Sequence, residues 1–170
     1  MKTNLIIVMG VSGCGKTSIA SSLASMFGYQ HIEADDFHSE QAKQHMASGQ
    51  ALTDEMRLPW IEKLKQQLLL KSQQKESVVM SFSGLRRAHR MQLRNIFEQT
   101  VFVHLVAPYD TLLQRMSQRS DHFMPPVLLA SQFDALESSS NEPDILEVDA
   151  SVGIIQLIRE TTARIDRHLT

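Results

Sequence analysis

The chain has a single cysteine, Cys14, so no disulfide can form within it, which suits a reducing compartment. It has no excess of basic residues: 17 Lys and Arg against 19 Asp and Glu leave a formal charge of −2. That balance argues against sequence-independent nucleic-acid binding, which needs a basic face. No apolar run approaches the roughly 20 residues of a membrane span. The stretch from Leu5 to Met9 is too short for the core of a secretory signal, and no cleavage site follows it. These absences together give the expectation of a cytoplasmic protein with no membrane or nucleic-acid partner. No cysteine–histidine cluster has the spacing of a zinc site. No internal repeat or low-complexity linker interrupts the 170 residues. They are read as one domain over 1–170, large enough to bury a core without covalent staples.

What is present is an alternation of apolar runs and helical patterns. Leu5 to Met9 is continuously apolar, as a strand covered on both faces should be. Ser77–Phe82 and Thr100–Val106 read as two more strands, and Gln30–Glu33 and Ile145–Val148 as shorter ones. Between them, Thr17–Phe27 carries Ile19, Ala20, Leu23, Ala24 and Phe27 at helical spacing, with Gly28 as its stop. Pro59 is expected to open a helix bearing Trp60, Ile61, Leu64 and Leu68. Ile154, Ile158, Ile165 and Leu169 are expected to share the buried face of a final helix, and Glu137–Asp144 reads as a surface loop. Strand–helix alternation predicts a parallel α/β sheet of five strands with right-handed crossovers.

The strongest local signal is Gly10-Val11-Ser12-Gly13-Cys14-Gly15-Lys16-Thr17, which matches G-x-x-x-x-G-K-[ST]. Glycines let such a loop curl until successive N–H groups point inward at phosphate oxygens. Lys16 adds a positive charge at the β- and γ-phosphates, the Thr17 hydroxyl can ligate Mg²⁺, and the helix that follows offers its N-terminus to the anion. Gly10, Ser12, Gly13, Cys14, Gly15, Lys16, Thr17 and Ser18 are thus the candidate ATP-binding residues. Within this set Cys14 reads as a small variable loop residue rather than a functional thiol. The reading requires a loop that faces a cleft with amides free of the protein's own acceptors.

Glu33-Ala34-Asp35-Asp36-Phe37-His38 follows the short second strand. Ligands of open parallel sheets sit at the carboxyl ends of the strands. There Asp35 could take a proton from a substrate hydroxyl and help hold Mg²⁺ through water; an acidic surface turn is the other reading of this segment. Arg115 and Arg119 lie four apart, on one helical face. They either form a basic exposed surface or close over the phosphates as part of a lid near residues 114–125. His104, inside an apolar strand, reads as a hydrogen-bonded core histidine.

Other blocks carry a family resemblance. His38, Met46-Ala47-Ser48-Gly49, Leu52, Asp54, Arg57, Pro59 and Trp60 resemble the D-x-x-H-P and K-M-x-x-G-x-P-L-x-D-x-D-R-x-P-W segments of the bacterial gluconate kinases. Ser83-Gly84-Leu85-Arg86-Arg87-Ala88-His89-Arg90 is similar to that family's S-A-L-K-R-x-Y-R. Arg115, Arg119 and His122-Phe123-Met124-Pro125 resemble its lid. Leu128-Leu129-Ala130-Ser131-Gln132-Phe133 with Leu136-Glu137 resembles L-L-x-S-Q-F-x-x-L-E. The blocks are collinear over about residues 5 to 150. The chain departs from the pattern at Ala34, Ser39, Ala42, His45, Ala51, Met56, Gly84, Arg86, His89 and Asp121.

The resemblance implies a P-loop kinase fold with strand order 2-3-1-4-5, helices on both faces, a lid and a homodimer. It implies ATP-dependent phosphorylation of D-gluconate to 6-phosphogluconate. Arg57, Arg90 and Arg86 are then candidates for the substrate carboxylate, since a guanidinium can grip it bidentately, and His38, His89 and His122 for hydroxyl groups. Lys16, Asp35, Arg115 and Arg119 become the catalytic set, and Asp149, Ala150 and Ser151 border the adenine. The departures leave open a kinase for another sugar acid, polyol or shikimate-like substrate, because a lost partner for a substrate hydroxyl shifts specificity strongly. A nucleotide-binding paralogue with weak or no phosphotransfer is a further alternative, as is a nucleic-acid-linked ATPase, which small size and acidic balance disfavour.

Overall fold

The computed structural model describes residues 2–118 and 125–169. Its elements run β1 (Asn4–Met9), α1 (Lys16–Phe27), β2 (Gln30–Glu33), a 3₁₀ turn (Ala34–Phe37), α2 (Glu40–Ala47), α3 (Asp54–Gln73), β3 (Val78–Phe82), α4 (Arg87–Arg94), β4 (Gln99–Val106), α5 (Tyr109–Ser117), α6 (Leu128–Ala135), β5 (Ile145–Asp149) and α7 (Ile154–Leu169). The five strands form one sheet in the order β2-β3-β1-β4-β5, and every neighbouring pair is parallel. The expected order is the one found.

The continuous apolar run of β1 has a direct cause. Successive side chains of a strand point to opposite faces, so Leu5, Ile7 and Met9 enter a core shared with Trp60, Ile61, Leu64 and Leu68 of α3. Ile6 and Val8 enter the other core, with Ile19, Ala20 and Leu23 of α1, Leu112 of α5, and Leu157 and Ile165 of α7. Both faces are covered, so neither set can be polar. Among the described residues no helix is long and apolar enough to cross a membrane.

Three local expectations need correction. Pro59 does not open α3 but lies inside it. The helix begins five residues earlier because Thr53 caps it, its side chain accepting a hydrogen bond from Met56 N at 3.2 Å. Asp54 and Glu55 in the first turn complement the helix dipole. In α7 Ile165 is fully buried and Ile158 and Leu169 pack against the core as expected, beside buried Leu157 and Thr161, whereas Ile154 in the first turn is exposed and leaves that face. The loop 137–144 is not simply a surface loop, since Ser139 and Glu142 are buried in it.

Candidate active site

The loop between β1 and α1 is shaped by close approach. Gly10 has φ 143, and a Cβ there would meet the Leu105 carbonyl oxygen at 2.8 Å and the Cys14 sulfur at 2.9 Å. A Cβ on Gly13, at φ 82, would meet the Leu112 carbonyl oxygen at 3.0 Å. Side chains are thus excluded on the protein side of the loop. Cys14 is buried in the core beneath it, which fits packing rather than reactivity. Gly15, in the left-handed region, precedes the first turn of α1. The Lys16 ammonium donates to the Val11 carbonyl at 3.0 Å, folding back along the loop.

One loop amide is already taken: Ser12 N donates to Oε1 of Gln132, from α6, at 2.7 Å. Among the described residues no protein acceptor meets the amides of Gly13, Cys14 or Gly15. The requirement for free amides is met there and not at Ser12.

Beside the loop, at the carboxyl end of β2, three acids gather. The Thr17 hydroxyl donates to Glu33 Oε2 at 2.6 Å, and Glu33 Oε1 accepts from Asp35 N at 3.5 Å. Burial pushes the Asp35 carboxyl up to about 6; Lys16 opposes the rise, and Glu33 and Asp36 add to it. A carboxyl poised near neutrality beside a cationic loop is suited to accepting a proton from an alcohol. Glu33 was absent from the sequence-based set. Its only signal there was its place at the last position of β2, level with the loop.

Asp35 opens into a cleft of about 540 Å³ that Ser12, Lys16, His38, Arg57, Trp60 and Gln132 help to line. His38 stacks on Trp60 with ring centroids 4.1 Å apart, and Trp60 is held in turn by its Nε1 donating to the Ala34 carbonyl at 2.7 Å. Burial, reinforced by Lys43 and Arg57, lowers the His38 pKa to about 4, so its ring is neutral at pH 7. Its Nε2 lies 3.8 Å from Asp35 Oδ1, too far for a hydrogen bond, and its buried Nδ1 has no partner among the described residues. Arg57 reaches the same cleft with one edge tied to Asp54 Oδ1 at 2.8 Å, and Arg86 Nε approaches the same oxygen at 3.3 Å. Asp54 holds two guanidiniums side by side.

Three expected substrate residues, Arg90, His89 and Arg86, do not line this cleft. Arg90 is fully buried. It pairs with Glu142 and donates to the carbonyls of Gly84 and Leu85. Its charge is consumed in pinning loop 137–144 to the start of α4, so it presents nothing to the cleft. His89 is buried beside Arg57 and Asp54, its pKa lowered by burial and then by Arg57, and it is not among the residues lining the cleft; neither is Arg86. His104 is buried with Nδ1 3.6 Å from Glu147 Oε1, so the histidine is in the core but its expected hydrogen bond is not formed.

On the other side of the loop a second cleft of about 820 Å³ is bounded by Gly13, Gly15 and Ser18, by Arg115 of α5, and by Ala150, Val152, Ile154 and Leu157. Arg115 donates to the Ala150 carbonyl at 2.9 Å, which anchors it across the cleft. Ala150 lines this cleft, whereas Asp149 and Ser151 do not: the Asp149 carboxylate accepts from the N–H and hydroxyl of Ser151 at 2.8 and 2.5 Å. The apolar Val152, Ile154 and Leu157 are the additional lining residues, signalled only by apolar character after the last strand. Arg119 and His122, with most of the expected lid, lie outside the described residues.

Comparison with known proteins places the chain in a family. A family profile described as an AAA domain matches residues 5–143. The thermosensitive gluconokinase of Escherichia coli K12 is 37% identical over 155 residues, covering 91% of this chain and 83% of its own length. A probable gluconokinase of Xenopus tropicalis is 33% identical, with 97% and 95% of the two chains covered. Among solved structures, a gluconokinase from Sinorhizobium meliloti 1021 superposes with a TM-score of 0.86 at 36% identity, covering 96% of this chain and 92% of its own. A sugar kinase from Janibacter sp. HTCC2649 reaches 0.91 at the same identity, with 96% and 95% covered. With two clefts meeting at a phosphate-binding loop and relatives of this identity along nearly its whole length, the chain belongs to the gluconokinase family of P-loop kinases.

Proposed function

We infer that the chain transfers the γ-phosphate of ATP to D-gluconate, giving ADP and 6-phosphogluconate. The observation that carries this reading is the placement of Asp35 and Lys16 in one cleft and the free amides of Gly13 to Gly15 in the other, on either side of a single loop. ATP enters the second cleft with its base against Ala150 and Val152 and its phosphates on the loop. The sugar acid enters the first, with its carboxylate toward Arg57 and hydroxyls toward His38. The 6-hydroxyl oxygen attacks the γ-phosphorus, the bond to the β–γ bridging oxygen breaks, ADP leaves with that oxygen, and the hydroxyl proton passes to Asp35. Lys16 offsets the charge on the moving group. Arg115 closes the nucleotide side, and Arg119 and His122 complete the proposed lid.

The Thr17 hydroxyl, which meets the Glu33 carboxylate at 2.6 Å, would hold Mg²⁺ directly and Asp35 would hold it through water, which fits an ion that takes few protein oxygens and keeps its waters. When bound, the ion would neutralise the phosphate oxygens. The acids crowded there, one of them raised to about 6, are what a cation would relieve. The protein is further read as one domain over 1–170, cytoplasmic and homodimeric.

The test is ADP release by the purified protein against a panel of sugar acids, polyols and shikimate. Gluconate should stimulate release most strongly. Strong stimulation by another compound and none by gluconate would reassign the acceptor.

A further inference from the structure

We propose that Gln132 is a positioning residue for phosphoryl transfer, whose side-chain amide holds the Ser12 N–H in the empty site and exchanges ends when a phosphoryl oxygen arrives. The proposal rests on the kinase reading above and adds a residue to it. Ser12 N and Gln132 Oε1 meet at 2.7 Å across 120 positions of sequence, and both residues are 8% exposed. A backbone N–H can only donate, so in the empty protein it selects the carbonyl end of the side chain.

The location matters. Ser12 and Gln132 line the acceptor cleft with Lys16 and Asp35, whereas the nucleotide cleft touches the loop from Gly13 onward. Ser12 therefore carries the loop amide on the acceptor side, on the path from one cleft to the other. A buried amide there needs an acceptor when no phosphate is present, and Gln132 supplies one. A phosphoryl oxygen is charged and makes the stronger bond to the same N–H. It cannot share the position with Gln132 Oε1, because two acceptors facing each other repel. A half-turn about the last torsion of Gln132 brings its Nε2 hydrogens to that oxygen and converts the repulsion into a donor contact. The helix bearing Gln132 is anchored by buried Leu128 and Leu129, so the side chain can rotate while its backbone stays in place.

The test compares Gln132→Glu and Gln132→Met, both close in volume to glutamine, at pH 8 with ATP and gluconate. It also measures the affinities of ADP and of the non-hydrolysable analogue AMP-PNP. Glutamate can accept from Ser12 but has no donor end and carries a charge. It should weaken AMP-PNP relative to ADP by about tenfold or more and lower kcat by about thirtyfold or more. Methionine should lower kcat by about tenfold with KM for gluconate within about threefold, and leave the AMP-PNP to ADP ratio near wild type. A glutamate variant with the wild-type affinity ratio, or both variants with kcat within about twofold of wild type, would overturn the proposal.

If either variant fails to fold, NMR of the ¹⁵N-labelled wild-type protein decides. The Gln132 side-chain amide signals should move between the ADP complex and the ADP–aluminium fluoride complex formed with gluconate. Signals that stay in place would also overturn it. Absence of gluconate-dependent ADP release by wild type would instead sink the substrate assignment, while the AMP-PNP to ADP comparison would still decide the role of Gln132.

Discussion

In the proposed reaction Asp35 acts as the base, and its burial carries a cost in stability. Burial raises its carboxyl to about 6 from an ordinary 3.8, with Glu33 and Asp36 adding to the shift against Lys16. As a base it must be ionised, so kcat/KM for gluconate should fall about tenfold per pH unit on the acid side, with an apparent pKa at or below about 6 because bound Mg²⁺ lowers it; a profile with no acid limb down to the pH where the fold itself is lost would exclude Asp35 from that role. Stability runs the opposite way. The folded pKa lies above the unfolded one, so the fold disfavours the ionised form, and the penalty grows as pH rises from about 4 through 6. Asp35→Asn should therefore be nearly inactive yet more stable at pH 7 by about 1–3 kcal/mol, with little gain at pH 4. Denaturant melts of both proteins at the two pH values measure this, and an equal gain at both would contradict the burial argument. His38, held neutral at pH 7 by burial, should add no limb of its own to the kcat/KM profile.

At the level of elements, two devices position the acceptor cleft. The first is the N-terminus of α3, where Thr53 caps Met56 N and the following turn carries Asp54 and Arg57. Thr53→Ala should cost about 1 kcal/mol by urea denaturation and raise KM for gluconate more than KM for ATP, because the frayed turn is the one that aims Arg57. Equal changes in the two constants would show that the cap matters only for folding. The second device is Glu142, which binds Arg90 and Arg94, while Arg94 also holds Asp144 at 2.5 Å. Burial would raise the Glu142 pKa, but hydrogen bonds from Arg90 and Arg94 outweigh it and hold the group below its usual range. The stabilisation is thus complete above the ordinary glutamate pKa and is lost as pH falls through the lower, folded value. Glu142→Leu strands the charge of a fully buried arginine and should cost about 3–5 kcal/mol. A melt within 1 kcal/mol of wild type would mean that Arg90 finds other compensation.

For the whole molecule, the two clefts share one loop, so filling either changes the stability of the whole domain. A ligand that binds only the folded state at about 100 times its Kd adds about 2.7 kcal/mol. Saturating ATP with Mg²⁺ should therefore raise the thermal midpoint by several degrees. Lys16→Ala should keep the fold, lose most of that shift and lose nearly all turnover. Activity within about threefold of wild type would remove the phosphate loop from the reaction.

The architecture was legible in the sequence because it rests on local and periodic signals. A doubly covered strand must be continuously apolar, α1 needs its glycine stop, and a loop that curls around phosphate needs Gly10, Gly13 and Gly15 in place. Motif spacing therefore marked the loop that the two clefts share, and the position after β2 marked Asp35, which lines one of them. The pairings were not legible. Arg57 and Arg90 look alike in sequence, yet one lines the cleft and the other is spent on Glu142, 52 positions away. Glu33 meets Thr17, and Gln132 meets Ser12, only once β2 and α6 are docked against the loop. Sequence patterning determined which surfaces are apolar and where the backbone can bend. Which buried polar group satisfies which partner was decided only by the tertiary fold, because a donor removed from water must take whichever acceptor packing brings within reach.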